Sequence, residues 1–134
     1  MFLTPNPIDL TSFKGTSASA GAEYLFIGKV RNHHQGRAVR YLEYEAYGPM
    51  AEKQIQKLVD AAQQQWPLIR VAVQHRVGRL AIGDIAIAIL TESAHRQESF
   101  AANQYLIDHI KHEVPIWKRE FYADGTQDWV NCAH

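Results

Sequence analysis

The chain contains a single cysteine, Cys132, in 134 residues, which excludes an intramolecular disulfide, a CxxC pair and any Cys/His cluster of zinc spacing. A reducing interior is the implied setting. There is no charge excess either: 14 Lys and Arg balance 14 Asp and Glu, so no long-range field draws the protein to nucleic acid or membrane, and any electrostatic function has to be local. Long apolar runs are missing, and Met1-Phe-Leu-Thr-Pro-Asn-Pro7 offers neither a basic leader nor a continuous apolar stretch. We therefore expect no signal peptide, no membrane anchor and a cytoplasmic location. Without repeats or linkers, the length predicts one domain over residues 1–134 around a single core. Seven histidines are present, but no HExxH pattern joins them; His109 and His112 alone have helical i,i+3 spacing, which could clamp a metal or form an ordinary solvated face, and no metal is expected.

What the chain does have is a clear order of periodic segments. Residues 11–20 are small and polar and read as a loop. Tyr24 to Ile27 is a buried-strand run, broken by Gly28 and followed by Lys29-Val30-Arg31; Asn32 to Gly36 reads as a turn or mobile loop, and Val39 to Tyr47 as a second strand with Leu42, Tyr44 and Ala46 on one face. Gly48-Pro49 opens a helix with the stripe Ile55, Leu58, Val59, Ala62 and Trp66, closed at Trp66-Pro67. Ile69, Val71, Val73, His75 and Val77 then alternate as a strand, a Gly83-Asp84 turn follows, and Ile85 to Leu90 reads as a central strand. A second helix, with Phe100, Leu106, Ile107, Ile110 and Val114 toward the core, ends before Pro115. Ile116 to Tyr122 is a strand placing Lys118 and Glu120 on one face and Trp117, Arg119 and Phe121 on the other. The order β, β, α, β, β, α, β predicts an α+β domain.

The chemistry concentrates between Ser93 and Glu120. There His95, Arg96, Lys111, Lys118 and Arg119 gather around one helix without matching carboxylates, the pattern of an anion site. Ser93-Ala-His95-Arg96 falls at the mouth of the helix, where open N–H groups favour an anion, although Thr91 or Ser93 reads equally well as a plain cap. Lys111 and Lys118 are the candidates for chemistry, because a lysine among apolar groups and other cations is a usable proton donor, acceptor or nucleophile. Complementing the helix dipole is the alternative for Lys111. Lys29, Arg31, Arg37 and Arg40 form a second basic stretch, either a solvated loop or a mobile flap over an anion. Arg96 and Lys111 would stand roughly 22 Å apart along the helix, too far for one small ligand in one chain. A two-fold dimer with sites mixed from both subunits is the simplest arrangement that unites them.

Phe26-Ile-Gly-Lys29-Val-Arg31-Asn-His, Glu45 to Met50, His75-Arg-Val-Gly, Ile82-Gly-Asp84, Ser93-Ala-His95-Arg96 and Pro115-Ile-Trp-Lys118-Arg119-Glu120, taken together and in order, resemble the large, catalytic subunit family of molybdopterin synthases. The similarity runs from about Gly21 to Val130; residues 1–20 match poorly. It implies a single α+β domain of α/β-hammerhead type with two main helices and mixed and antiparallel sheets. It also implies a homodimer within a heterotetramer containing two small ubiquitin-like sulfur carriers. The implied reaction is a sulfur transfer, without a resident cofactor: two sulfurs move from the carrier's C-terminal Gly-Gly thiocarboxylate to cyclic pyranopterin monophosphate, making the dithiolene of molybdopterin. By the resemblance, Lys29, Val30, Arg31, His95, Arg96, Lys111, Lys118, Arg119 and Glu120 contact substrate, Lys111 and Lys118 are catalytic, and Glu120 orients a lysine or joins an ion pair. Cys132, outside every motif, is incidental if the partner carries the sulfur.

Two other classes suit parts of the pattern. A non-catalytic dimeric module binding an anionic ligand, of ferredoxin-like regulatory type, fits the element order. Single-stranded RNA binding is disfavoured by zero net charge and by aromatics at core spacing.

Overall fold

The computed structural model describes residues 1–15 and 17–130; Cys132 lies outside the described residues. Two sheets share the chain. The first has the order β1-β5-β7-β2, formed by β1 (Leu3–Thr4), β2 (Ala22–Lys29), β5 (Leu68–Arg76) and β7 (Ile85–Ser93), with β1 parallel to β5 and the other pairs antiparallel. The second has the order β3-β4-β8-β9, from β3 (His33–His34), β4 (Arg37–Ala46), β8 (Ile116–Tyr122) and β9 (Gln127–Val130), and β6 (Gly78–Ala81) also pairs with β4. Helices α1 (Gly48–Gln65) and α2 (Arg96–Glu113) contact each other and the first sheet. This is the α+β architecture expected.

The apolar period explains the layers. Ile55, Leu58, Val59 and Ala62 of α1 and Leu106 and Ile110 of α2 bury against Val73, Ile87 and Ile89 of the sheet. The alternate residues Ala88 and Leu90 meet Ile8 and Phe13 of the N-terminal segment, where a 3-10 turn, Leu10–Phe13, interrupts the expected loop. With both faces covered, β7 is central, which is why it reads as a continuous apolar run. The N-terminus is held by Glu52, whose carboxylate accepts from the Phe2 and Leu3 amides at 2.7 and 2.8 Å.

The structure sharpens some expectations and corrects others. Of the two readings of Asn32 to Gly36 the turn holds, as a tight hairpin: β3 pairs with the start of β4, and Gln35 and Gly36 both have positive φ, 51° and 77°. Residues 78–81, between the alternating strand and the Gly83-Asp84 turn, form an additional strand, β6. Ile69 faces solvent because the register slips between Leu68 and Arg70, which sends Leu68 inward instead. Phe100 is 52% exposed, and the buried face of α2 carries the polar Ser99 and Asn103. Asn103 belongs there because its Nδ2 donates to the Tyr24 and Ile89 carbonyls and to Thr91 Oγ1, tying α2 to β2 and β7.

In the first sheet, β5-β7-β2 with two covering helices is the core a ferredoxin-like domain would use. The last strand departs from that plan. Instead of extending the sheet beside β2, β8 pairs with β4 and leaves a gap between the two sheets.

Candidate active site

That gap is a cavity of about 190 Å³. β2 contributes Phe26, Gly28 and Lys29, with Arg31 just beyond it; β4 contributes Tyr44, β5 His75, the end of α2 Lys111, and β8 Lys118. Ile87, Ile107, Ile110 and Ile116 make its apolar wall. Four cations therefore face one space, and none of the lining side chains is a carboxylate. Gly28 is required by closeness: a Cβ there would stand 2.8 Å from Ile87 Cγ2, and the β2–β7 register shifts between Gly28 and Lys29.

Lys118 and Glu120 share the inward face of β8, as the alternation predicts. Glu120 is 4% exposed; its Oε1 accepts from His34 Nδ1 at 2.8 Å and from the Tyr122 hydroxyl at 3.1 Å, and its Oε2 lies 3.9 Å from Lys118 Nζ. So anchored, Glu120 fixes the direction of Lys118. Burial and the Glu120 carboxylate together push the Tyr122 phenol up, so it stays a proton donor to that carboxylate.

His75 is the polar residue that reading the sequence for charge missed. Its Nδ1 lies 2.7 Å from the Arg76 carbonyl, which can only accept, so the ring proton sits on Nδ1 and Nε2 keeps its lone pair. Burial, opposed by that hydrogen bond and helped by the Lys111 charge, pushes its pKa down to about 4. The available signal was a histidine at an inward position of a strand otherwise filled by valine.

Other candidates lie elsewhere. His95 is exposed at the N-cap of α2, and Arg96 lines a second cleft of about 540 Å³ with Tyr24, Phe26, Phe100, Asn103 and Ile107. Phe26 and Ile107 border both spaces, so α2 presents Arg96 to one and Lys111 to the other. Neither Thr91 nor Ser93 caps the helix. Thr91 Oγ1 donates to the Ser99 carbonyl, and Ser93 Oγ to the His95 carbonyl. Val30 is buried against Leu42, Leu80 and Ala86.

A family model described as MoaE protein matches residues 3–113. The chain belongs to the MoaE protein family. Its sequence is 47% identical over 110 residues to the molybdopterin synthase catalytic subunit of Staphylococcus carnosus, covering 82% of this chain and 73% of that protein. The crystal structure of molybdopterin synthase from Staphylococcus aureus superposes with a TM-score of 0.90 at 38% identity, over 96% of this chain and 95% of the other. A complex of subunits 1 and 2 of molybdopterin-converting factor from Helicobacter pylori, 20% identical, shares the fold with a TM-score of 0.70 over 84% of this chain and 73% of its own.

Within this MoaE chain the expectation of cations without carboxylates fails for Arg119. It faces away from the cavity, 3.2 Å from Glu43 and 3.9 Å from Glu45, with its guanidinium over the Trp129 ring. Both acids are on β4, out of reach of any local sequence pattern. Arg37 likewise leaves the proposed flap: it pairs with Asp128 at 2.9 Å and covers the Tyr122 ring. His109 bonds Glu113 one turn on and packs at a tilt against the Tyr105 ring, and among the described residues no group of three or more His, Cys, Asp or Glu could hold a metal. No helix among the described residues is long and apolar enough to cross a membrane.

Proposed function

We propose that the cavity is the sulfur-transfer centre of a molybdopterin synthase catalytic subunit, working in the cytoplasm. The observation that carries the reading is the lining itself: Lys29, Arg31, Lys111 and Lys118 around an apolar wall, with no carboxylate among them. Both reactants are anions, a carrier ending in a Gly-Gly thiocarboxylate and cyclic pyranopterin monophosphate. Ammonium and guanidinium groups in a partly dry space hold such anions far better than on an open surface.

Lys118, aimed by Glu120, and Lys111, at the end of α2, are the catalytic groups. They donate to the oxygen on which charge develops as the thiocarboxylate reacts, and they carry protons to and from it. Lys29 and Arg31 hold the anionic ends. His95 and Arg96 serve the same cavity from a second copy of the chain, in a two-fold dimer that carries two small carriers as a heterotetramer. Arg119 and Val30 support the strands that carry Lys118 and Arg31.

The test is conversion of the pyranopterin precursor by the purified chain with thiocarboxylated carrier. Arg96→Ala and Lys111→Ala chains, each inactive alone, should regain about a half of parental activity per mixed dimer, and so about a quarter in a randomly assembled mixture. No product from the folded parent, or no recovery on mixing, would sink the reading or its dimeric site respectively.

A further inference from the structure

Lys29, Arg31, Lys111 and Lys118 are donors without an acceptor. They can hold an anion but cannot recognise an N–H group. Both proposed reactants bring such groups into the cavity, as amides of the Gly-Gly tail or as ring N–H of the pterin. An N–H buried without an acceptor weakens binding about as much as a lost hydrogen bond.

The cavity contains one acceptor built rigidly into a strand. His75 is 7% exposed, its Nδ1 bonded to the Arg76 carbonyl and its ring edge-on to Tyr44 at 4.8 Å between centroids. Those two contacts hold the ring. Among the described residues Nε2 makes no hydrogen bond. The groups around it are Lys29 and Arg31 from the β2 end, Tyr44 on β4, Lys111 on α2 and Lys118 on β8. Burial first, and the Lys111 charge after it, keep the imidazole neutral at ordinary pH, so the lone pair persists and no fifth positive charge is added.

We infer that His75 is a substrate-contacting specificity residue: its Nε2 accepts a hydrogen bond from an N–H of the ligand lodged against Phe26, Ile87 and Ile110, while the lysines and Arg31 take the ligand's anionic group. The inference rests on the sulfur-transfer reading and adds the selection of a ligand that presents an anion and an N–H together. A bare anion gains nothing from His75.

Calorimetric titration of the full chain tests it with two ligands: the carrier ending in an ordinary Gly-Gly carboxylate, and cyclic pyranopterin monophosphate. His75→Phe keeps the ring and removes the acceptor; His75→Gln keeps an acceptor oxygen without the ring. His75→Phe should weaken one of the two ligands by about ten- to a hundredfold and leave the other within about twofold, and His75→Gln should recover much of the loss. The ligand that responds identifies the source of the N–H. Unchanged binding of both ligands to His75→Phe overturns the inference. So does an equal loss in both variants and both arms accompanied by a lowered melting temperature, which would make His75 a packing residue. A folded parent that binds neither ligand removes the sulfur-transfer reading, and this inference with it.

Discussion

The two faces of β8 carry the same kind of charge to opposite ends. On the inner face Lys118 meets a cavity whose lining has three other cations and no carboxylate. On the outer face Arg119, the next residue, is flanked by Glu43 and Glu45 and lies over Trp129. Arg37 and Arg79 are settled in the same way, the first by Asp128 and the Tyr122 ring, the second over the Tyr41 ring. A basic residue is therefore informative only once its surroundings are known. Paired cations knit the second sheet together, and those lining the cavity, where no side chain is a carboxylate, form a surface suited to an anion.

The contrast is broken most directly by comparing neighbours. Lys118→Ala should lower single-turnover sulfur transfer by at least about a hundredfold, the usual contribution of a positioned proton-transferring group, and Arg119→Ala by less than about tenfold. Melting temperatures of both variants separate chemistry from folding. Equal losses would mean that Arg119 leaves its ion pairs to serve the site.

Proton linkage sharpens the same boundary. His75 has a folded pKa depressed to about 4 from 6.5, so between those values the unfolded chain binds the extra proton. The stability it sustains is complete above pH 6.5 and is lost as pH falls toward 4, by about 3 kcal/mol for a shift of this size. Denaturant unfolding across that range should show the decline in the parent and a smaller one in His75→Gln. Identical pH profiles would place His75 in contact with water.

The smallest effect belongs to the outer sheet. Arg37→Ala removes ion pairs whose partners are largely exposed, and should lower stability by no more than about 1 kcal/mol, less in high salt. A larger loss, insensitive to salt, would assign the stabilisation to its stacking on Tyr122.

Much of this fold was legible in the chain. The stripe Ile55, Leu58, Val59 and Ala62 announced α1, Pro115 ended α2, and the continuous run from Ile85 marked the central strand. The misses share a cause. β6 and β9 have four residues each, too few for a period to register, and their strand geometry comes from β4 and β8 beside them. Phe100 is exposed instead of buried, and Asn103 takes an inward position because its amide finds three acceptors on β2 and β7, which hydropathy alone does not see. The candidate site was legible by residue type, and its members by face: alternation placed Lys118 and Glu120 together on one side of β8.

By itself the sequence determined the periods, the breaks and the alternation, because those depend on neighbours within a few residues. The motifs around Lys29, Arg96 and Lys118 pointed to one family in the same local way. Only the tertiary structure decided which cations would be neutralised. Glu43 and Arg119 are 76 positions apart in the chain yet meet across one strand pair, while β8, by joining β4 instead of lying beside β2, opened the space in which Lys29, Arg31, Lys111 and Lys118 face one another and His75. Electrostatic partnership depends on distance through space, and long-range strand pairing sets that distance.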